Sequence, residues 1–244
     1  MEQPFLSLII PAYNEERRLP GTLEQVINFL KAQPYASEVI VVENGSQDRT
    51  LQIAREFVNR PENGKVTIRV LQVDQRGKGL AIKHGMLNSC GEYRFMCDAD
   101  LSMPIDQISR FLPPMLMDFD IAIASREAPG SVRYNEPAYR HVVGRAFNAL
   151  IRILALPSLH DTQCGFKCFR AEVAEDLFRC QTLNGWSFDV EVLFIAREHG
   201  YRIVEIPVPW YFNPASHVKV LKDSLIMAID LIKIRINGLR GLYA

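Results

Sequence analysis

With 244 residues, 48% of them hydrophobic and 23% charged, the chain is long enough to bury one sizeable core and too apolar for disorder. Its 28 basic and 28 acidic residues cancel, so no global field recruits nucleic acid, and attraction to an anionic membrane must be local. The start MEQPFLSLIIPAYNEE lacks a secretion signal, no apolar run approaches the roughly 20 residues that span a bilayer, and the five cysteines are odd in number. The expected compartment is therefore the cytosol, and the expected cysteines are free thiols.

FLSLIIPAY is a continuous apolar run, the pattern of a buried strand, and Leu19, Leu23, Val26, Ile27 and Leu30 then recur at helical spacing. EVIVVENGS repeats the scheme, followed by a helix predicted to start at Ser46 with Asp48 in its first turn. VTIRVLQV, a helix around Ala81 to Asn88, YRFMC and DIAIAS continue the alternation. The second half is less regular, with helices predicted over 138–155, 187–199 and 219–236 and strands at GFKCF and YRIVEIPVPW. Near-continuous apolar strands divided by helices predict an α/β fold with a mostly parallel sheet covered on both faces, in one domain spanning 1–244.

Strands that point one way bring the residues following them to one edge, where open α/β sheets bind ligands. That edge collects PAYNEE, then Glu43, Asn44, Gly45 and Ser46, then QRGKG, then Asp98 and Asp100, then Ser125 and Arg126. Two carboxylates at i and i+2 in an extended segment project to one side and repel each other, a cost that a divalent cation reverses. Oxygen ligands select Mg2+ or Mn2+, which keep positions open for phosphate oxygens. Taken alone, Asp98 and Asp100 read better as caps of a loop or of the next helix, and it is the company at this edge that favours a metal-phosphate site. The glycines around Lys78, ahead of a helix, suit close approach to an anion, and a tight exposed turn accounts for them as well. Neither G-x-x-x-x-G-K-[ST] nor G-x-G-x-x-G after a strand occurs, which disfavours a kinase or a dehydrogenase.

PAYNEE, VVENGSQDRT, RGKGLAIKHG, DADLS, ASR, DTQCGFKCF, WSFDVEVL and EIPVPW, in that order over roughly residues 5 to 222, resemble the family 2 glycosyltransferases of GT-A fold. Within them the set is similar to the dolichyl-phosphate glucosyltransferase and mannose synthase group, and DTQCGFK followed by WSFDVE is more like the glucosyl branch. The resemblance implies a nucleotide-sugar half at 1–128 and an acceptor half at 129–244 ending in an apolar helix. Pro11, Tyr13, Asn14, Glu15 and Gly45 would border the nucleotide, Glu43 would accept from the base, and Lys78 would lie nearby. Asp98 would contact ribose or sugar, and Asp100 would hold a Mg2+ or Mn2+ ion on the diphosphate. Two positions depart from the pattern: Glu43-Asn44 stands where two aspartates are usual, and Ser102 where some relatives carry a glutamine ligand, a place His217 could fill.

A lipid phosphate, mostly a dianion at neutral pH with its second pKa about 6, needs cations rather than a base. Arg126 and Lys219 match family positions for such cations, with Arg133, Arg140 and Lys167 as further candidates. Asp161, Gln163, Asp189 and Glu191 fall in the acceptor-side motifs. For a hydroxyl acceptor Asp189 or Glu191 is the expected base; for a phosphate these acids would bind sugar hydroxyls or orient Arg126 and Lys167. The reaction implied is inverting transfer of a hexose from a nucleotide sugar, UDP-glucose favoured, to a polyprenyl or dolichyl phosphate. GDP-mannose, a soluble hydroxyl acceptor and a non-catalytic sensor are the alternatives. The apolar helices FNALIRILALPSL and VKVLKDSLIMAIDLIKIRINGLRGLYA carry enough basic residues for peripheral membrane contact, and core or homo-oligomer packing uses the same faces.

Overall fold

The computed structural model describes residues 3–58, 60–214 and 220–243; the candidates His217 and Lys219 lie outside them. Three parallel βα units open the chain: β1 (Leu6–Ala12), α1 (Leu19–Lys31), β2 (Ser37–Glu43), α2 (Thr50–Glu56), β3 (Val66–Gln72) and α3 (Lys78–Leu87). They are followed by β4 (Tyr93–Cys97), β5 (Ile121–Ser125), a short β6 (Val132–Tyr134), α4 (Ala138–Leu154), β7 (Phe166–Arg170) and α5 (Ala171–Cys180). α6 (Phe188–Glu198), β8 (Ile203–Pro207), β9 (Pro209–Tyr211) and α7 (Val220–Leu239) complete the described elements.

Seven strands form one sheet in the order β3-β2-β1-β4-β7-β5-β8. Ala12 pairs with Glu43 and Glu43 with Gln72, so the carboxyl ends of β1, β2 and β3 are level. Alternation divides the core between the two faces: Leu8 and Ile10 of β1 pack with α1, while Ile9 packs with α3 and α6. Both faces of β2 are buried along its whole length, which is why Val39, Ile40, Val41 and Val42 run apolar without alternation.

The sheet is mostly parallel, with one strand reversed, and two readings of the sequence are corrected. β7 runs antiparallel to both β4 and β5, so it is the start of β7 that meets the carboxyl ends of its neighbours. YRIVEIPVPW is two strands, because Pro207 and Pro209 lack the N–H groups a continuous ladder needs; β8 stays in the large sheet and β9 leaves to pair with β6. α2 begins at Thr50 rather than Ser46, since Asp48 Oδ1 accepts the Thr50 N–H at 2.9 Å and delays the first turn. Helix α5 has no counterpart among the elements expected from the sequence.

Candidate active site

The loops after β1 and β2 are stitched together by polar contacts. Asn14 donates its N–H to Ser46 Oγ at 3.1 Å, Gln47 returns one to Asn14 Oδ1 at 2.8 Å, and the Glu15 N–H reaches Thr50 Oγ1 at 2.7 Å. Asn14 and Gly45 both hold left-handed backbone conformations, with φ of 53° and 79°, which asparagine and glycine tolerate. Glu43 is buried and accepts the Ser46 N–H, so its carboxylate caps this turn; the neighbouring Asn44 Oδ1 is a buried acceptor with no hydrogen-bond partner among the described residues. Glu15 is clamped by Arg18 through both carboxylate oxygens. The Arg76 guanidinium lies 4.4 Å over the Tyr13 ring.

At the end of β4, Asp98 Oδ1 lies 2.5 Å from Lys78 Nζ, and Asp100 Oδ1 accepts the Ser102 N–H at 3.0 Å. Leu101 between them has φ 45°, a left-handed conformation that costs a leucine about 1 kcal/mol, and the Thr22 hydroxyl of α1 pins the Ala99 carbonyl at 2.6 Å. Backbone strain is thus held where Asp100 is aimed. Burial and the adjacent Asp98 carboxylate push the Asp100 carboxyl up, against the Ser102 N–H and Lys78, which pull it down. Burial alone would lower the Lys78 ammonium, but Asp98, Asp189 and Asp100 raise it, so it stays charged. A Cβ added to Gly165, at the entry to β7, would fall 2.0 Å from Asp98 Oδ2, so any larger residue there must displace the Asp98 carboxylate.

The glycines around Lys78 serve packing rather than an open anion nest. A Cβ on Gly77 would meet the Asn184 carbonyl oxygen at 2.5 Å, and one on Gly79 would meet Phe188 Cβ at 2.6 Å. This close seating brings Trp186 to the site, with its ring 5.6 Å from Lys78 Nζ.

Facing these groups, Arg126 donates from Nε to Asp161 Oδ2 at 2.6 Å and from Nη2 to Asp161 Oδ1 at 3.0 Å, while its own N–H also reaches Asp161 at 3.0 Å. Burial opposes both charges, yet Arg126 holds the Asp161 carboxyl down at about 2 and Asp161 raises the guanidinium in return. Lys167 is 1% exposed and gives its ammonium to the Cys164 carbonyl at 2.6 Å and to Asp189. Burial keeps the Asp189 carboxyl above its ordinary range despite Lys167 and Lys78. Arg133 bridges Glu127 and Glu136, and the Arg140 guanidinium lies 5.0 Å over Phe212.

One cavity of about 240 Å³ joins the two groups. Of the expected residues, Lys78, Asp98, Asp100, Arg126, Asp161, Gln163 and Asp189 line it, with Arg133 and Arg140. Pro11, Tyr13, Asn14, Glu15, Glu43 and Gly45 sit at the ends of β1 and β2, outside its lining. Lys167 stands behind Asp189. Glu191 is corrected: it is fully buried, absent from the lining, and accepts from the Thr182 and Leu183 N–H groups at 3.0 and 2.8 Å and from the Tyr243 hydroxyl at 2.8 Å. It therefore fixes the chain leading to Trp186 instead of meeting substrate. Sequence reasoning missed Trp186, Asn148, Glu136 and Arg18, whose charge is felt by Asp100 and Asp98. Trp186 lies in the WSFDVE motif and Arg18 follows PAYNEE closely, whereas nothing local marks Asn148 or Glu136.

Asp98 and Asp100 fit a hard divalent cation: both donors are carboxylates, they repel each other, and in each one oxygen is taken by Lys78 or by the Ser102 N–H. The described residues hold no cluster of three His, Cys, Asp or Glu ligands, so phosphate and water oxygens would complete the shell, as suits Mg2+ or Mn2+.

The model of glycosyl transferase family 2 matches residues 7–178. The chain belongs to this family. It is 32% identical to the dolichyl-phosphate beta-glucosyltransferase of Dictyostelium discoideum over 98% of its own length and 76% of the relative's. The mannosyl-3-phosphoglycerate synthase of Rubrobacter xylanophilus superposes with a TM-score of 0.69 at 17% identity, covering 98% of this chain and 74% of that one. The glucosyl-3-phosphoglycerate synthase of Mycobacterium tuberculosis, in complex with Mn2+, UDP-glucose and phosphoglyceric acid, does so with 0.61 at 17% identity, covering 96% and 79%. The fold is GT-A, and this family 2 member is a glycosyltransferase.

Proposed function

We propose that the chain transfers glucose from UDP-glucose to the phosphate of a polyprenyl lipid of dolichyl type, inverting the sugar linkage. The observation that carries this reading is one cavity with two unlike walls: strand-end carboxylates with Lys78 on one, and Arg126 clamped by Asp161 on the other. The activity named for the Dictyostelium relative, and the UDP-glucose bound in the mycobacterial complex, support the choice of donor and acceptor.

Asp100 and Asp98 would hold the divalent cation, which supplies Lewis-acid stabilisation of the departing diphosphate. Lys78, kept cationic by its carboxylate neighbours, adds charge stabilisation on the same side. On the other wall Asp161 occupies Nε and Nη2 of Arg126, which fixes the guanidinium plane and leaves its Nη1 edge for a phosphate oxygen. Asp189 is tied to Lys167, a poor arrangement for a general base, and a phosphate acceptor needs none. The Trp186 indole offers an apolar face to the hexose ring.

The test is a matrix of labelled UDP-glucose, GDP-mannose and UDP-galactose against polyprenyl phosphate and a soluble glycoside, with and without Mn2+. Organic-soluble label from UDP-glucose alone, abolished by chelation, is the expected outcome. Label appearing on the glycoside, or from GDP-mannose in preference, would overturn the assignment of acceptor or donor.

A further inference from the structure

The outer face of α7 exposes a run of large apolar side chains. Leu225, Ile226, Ile229, Ile232, Ile236 and Leu239 are each between 41% and 84% exposed. At about 100° per residue, all but Ile226 fall within an arc of about 80°. Lys233 and Arg235 flank that arc, one beyond each border, and both are exposed. The opposite face is ordinary core, with Met227, Leu231 and Ile234 buried. Asp230 is turned inward, 7% exposed, and bonded to Ser187 Oγ at 2.8 Å and to Lys233 at 2.9 Å. The described part of α7 therefore shows the outside an apolar stripe edged by cations, with no outward carboxylate.

We propose that this face is a docking surface for an anionic lipid bilayer. The proposal rests on the lipid-phosphate reading above and adds the surface by which the chain reaches its acceptor. An apolar stripe with basic borders is the pattern of a helix lying in the interface plane, its lysine and arginine stems reaching up to the headgroups. No described helix is long and apolar enough to cross a membrane, so α7 lies on the surface. The net charge of the chain is zero, which leaves this local array to supply the attraction. A second copy is the weaker occupant, because stacking α7 on α7 brings together two faces bordered by cations, of which Lys233 is met by its own Asp230 and Arg235 finds no described outward carboxylate on the facing helix. The surface is also continuous with the site: Ser224 and Met227, on the inner face of the same helix, line the cavity.

The experiment compares the full chain with the double variant Ile229→Glu/Ile232→Glu in flotation with phosphatidylcholine vesicles with and without phosphatidylglycerol. Light scattering and turnover on a short, water-soluble prenyl phosphate run alongside. Wild type is expected to float with anionic vesicles and to lose that binding as salt rises. The double variant is expected to bind them at least about tenfold more weakly while keeping its thermal midpoint and its turnover on the short acceptor. Unchanged flotation of the variant, indifference of wild type to anionic vesicles, or a fall in molecular mass of the variant would overturn the proposal, the last by giving the stripe to a second copy. Flotation that persists while no prenyl phosphate is glycosylated would instead sink the substrate reading and leave the lipid surface standing.

Discussion

On the wall of the cavity proposed above to take the donor, the donor wall, Asp98 and Asp100 crowd two like charges together, with Lys78 the ammonium in direct contact. On the acceptor wall each carboxylate meets a cation at close range: Asp161 meets Arg126, Asp189 meets Lys167, and Glu136 meets Arg133. The first wall is electrostatically incomplete and invites a ligand that brings positive charge. The second is a finished clamp whose stability depends on its own pairs. Removing one charge should therefore have opposite effects on folding at the two walls.

The largest effect is expected at Asp100. Asp100→Asn should lower kcat for labelled glucose transfer by roughly 10^2- to 10^3-fold, yet raise the unfolding midpoint, because burial and Asp98 disfavour the charged carboxyl in the folded chain. A loss of both activity and stability would erase the contrast. On the other wall Lys167→Met leaves the Asp189 carboxyl, which burial already holds above its ordinary range, without its counter-ion and should cost about 3 kcal/mol in urea denaturation. Adding Asp189→Asn should recover a large part of that loss.

Gly165→Ala sharpens the comparison at the seam between the walls. The new methyl displaces Asp98 while leaving the acceptor pairs alone, so activity should fall about tenfold, with a higher apparent requirement for Mn2+ in titrations. The smallest effect concerns pH. Arg126 depresses the Asp161 carboxyl from 3.8 to about 2, so the pair contributes stability that is complete above the unfolded value and is lost as pH falls through the folded one. The difference in unfolding free energy between wild type and Asp161→Asn should therefore stay constant down to about pH 4 and shrink between about 4 and 2. A difference that shrinks nearer neutrality would refute the clamp.

The donor wall was largely legible in the sequence because its groups follow strands that announce themselves. β1, β2 and β4 each carry an apolar run and are buried along almost their whole lengths, and the residues after them must share an edge once the strands are parallel. The acceptor wall was legible only through resemblance. Asp161 precedes an antiparallel strand that no local pattern distinguishes from a parallel one, and Arg126 gains its meaning from a partner 35 residues away. Glu191 misled for a related reason: two residues from Asp189 on α6, it points its carboxylate to the Thr182–Leu183 turn and not to the cavity. The glycines of RGKG carried a second message, close packing against 184–188, which only tertiary contact reveals.

The reversed direction of β7 has a consequence for how this architecture diversifies. Because that strand enters the sheet at the catalytic rim, the connection from β5 to β7 passes over the acceptor wall and returns, carrying β6 and α4 as one excursion. On the function proposed above, lengthening or exchanging that excursion would remodel the acceptor side while the strand-end carboxylates stay anchored on β4. The molecule decorated would then be free to change while the sugar carried stays the same.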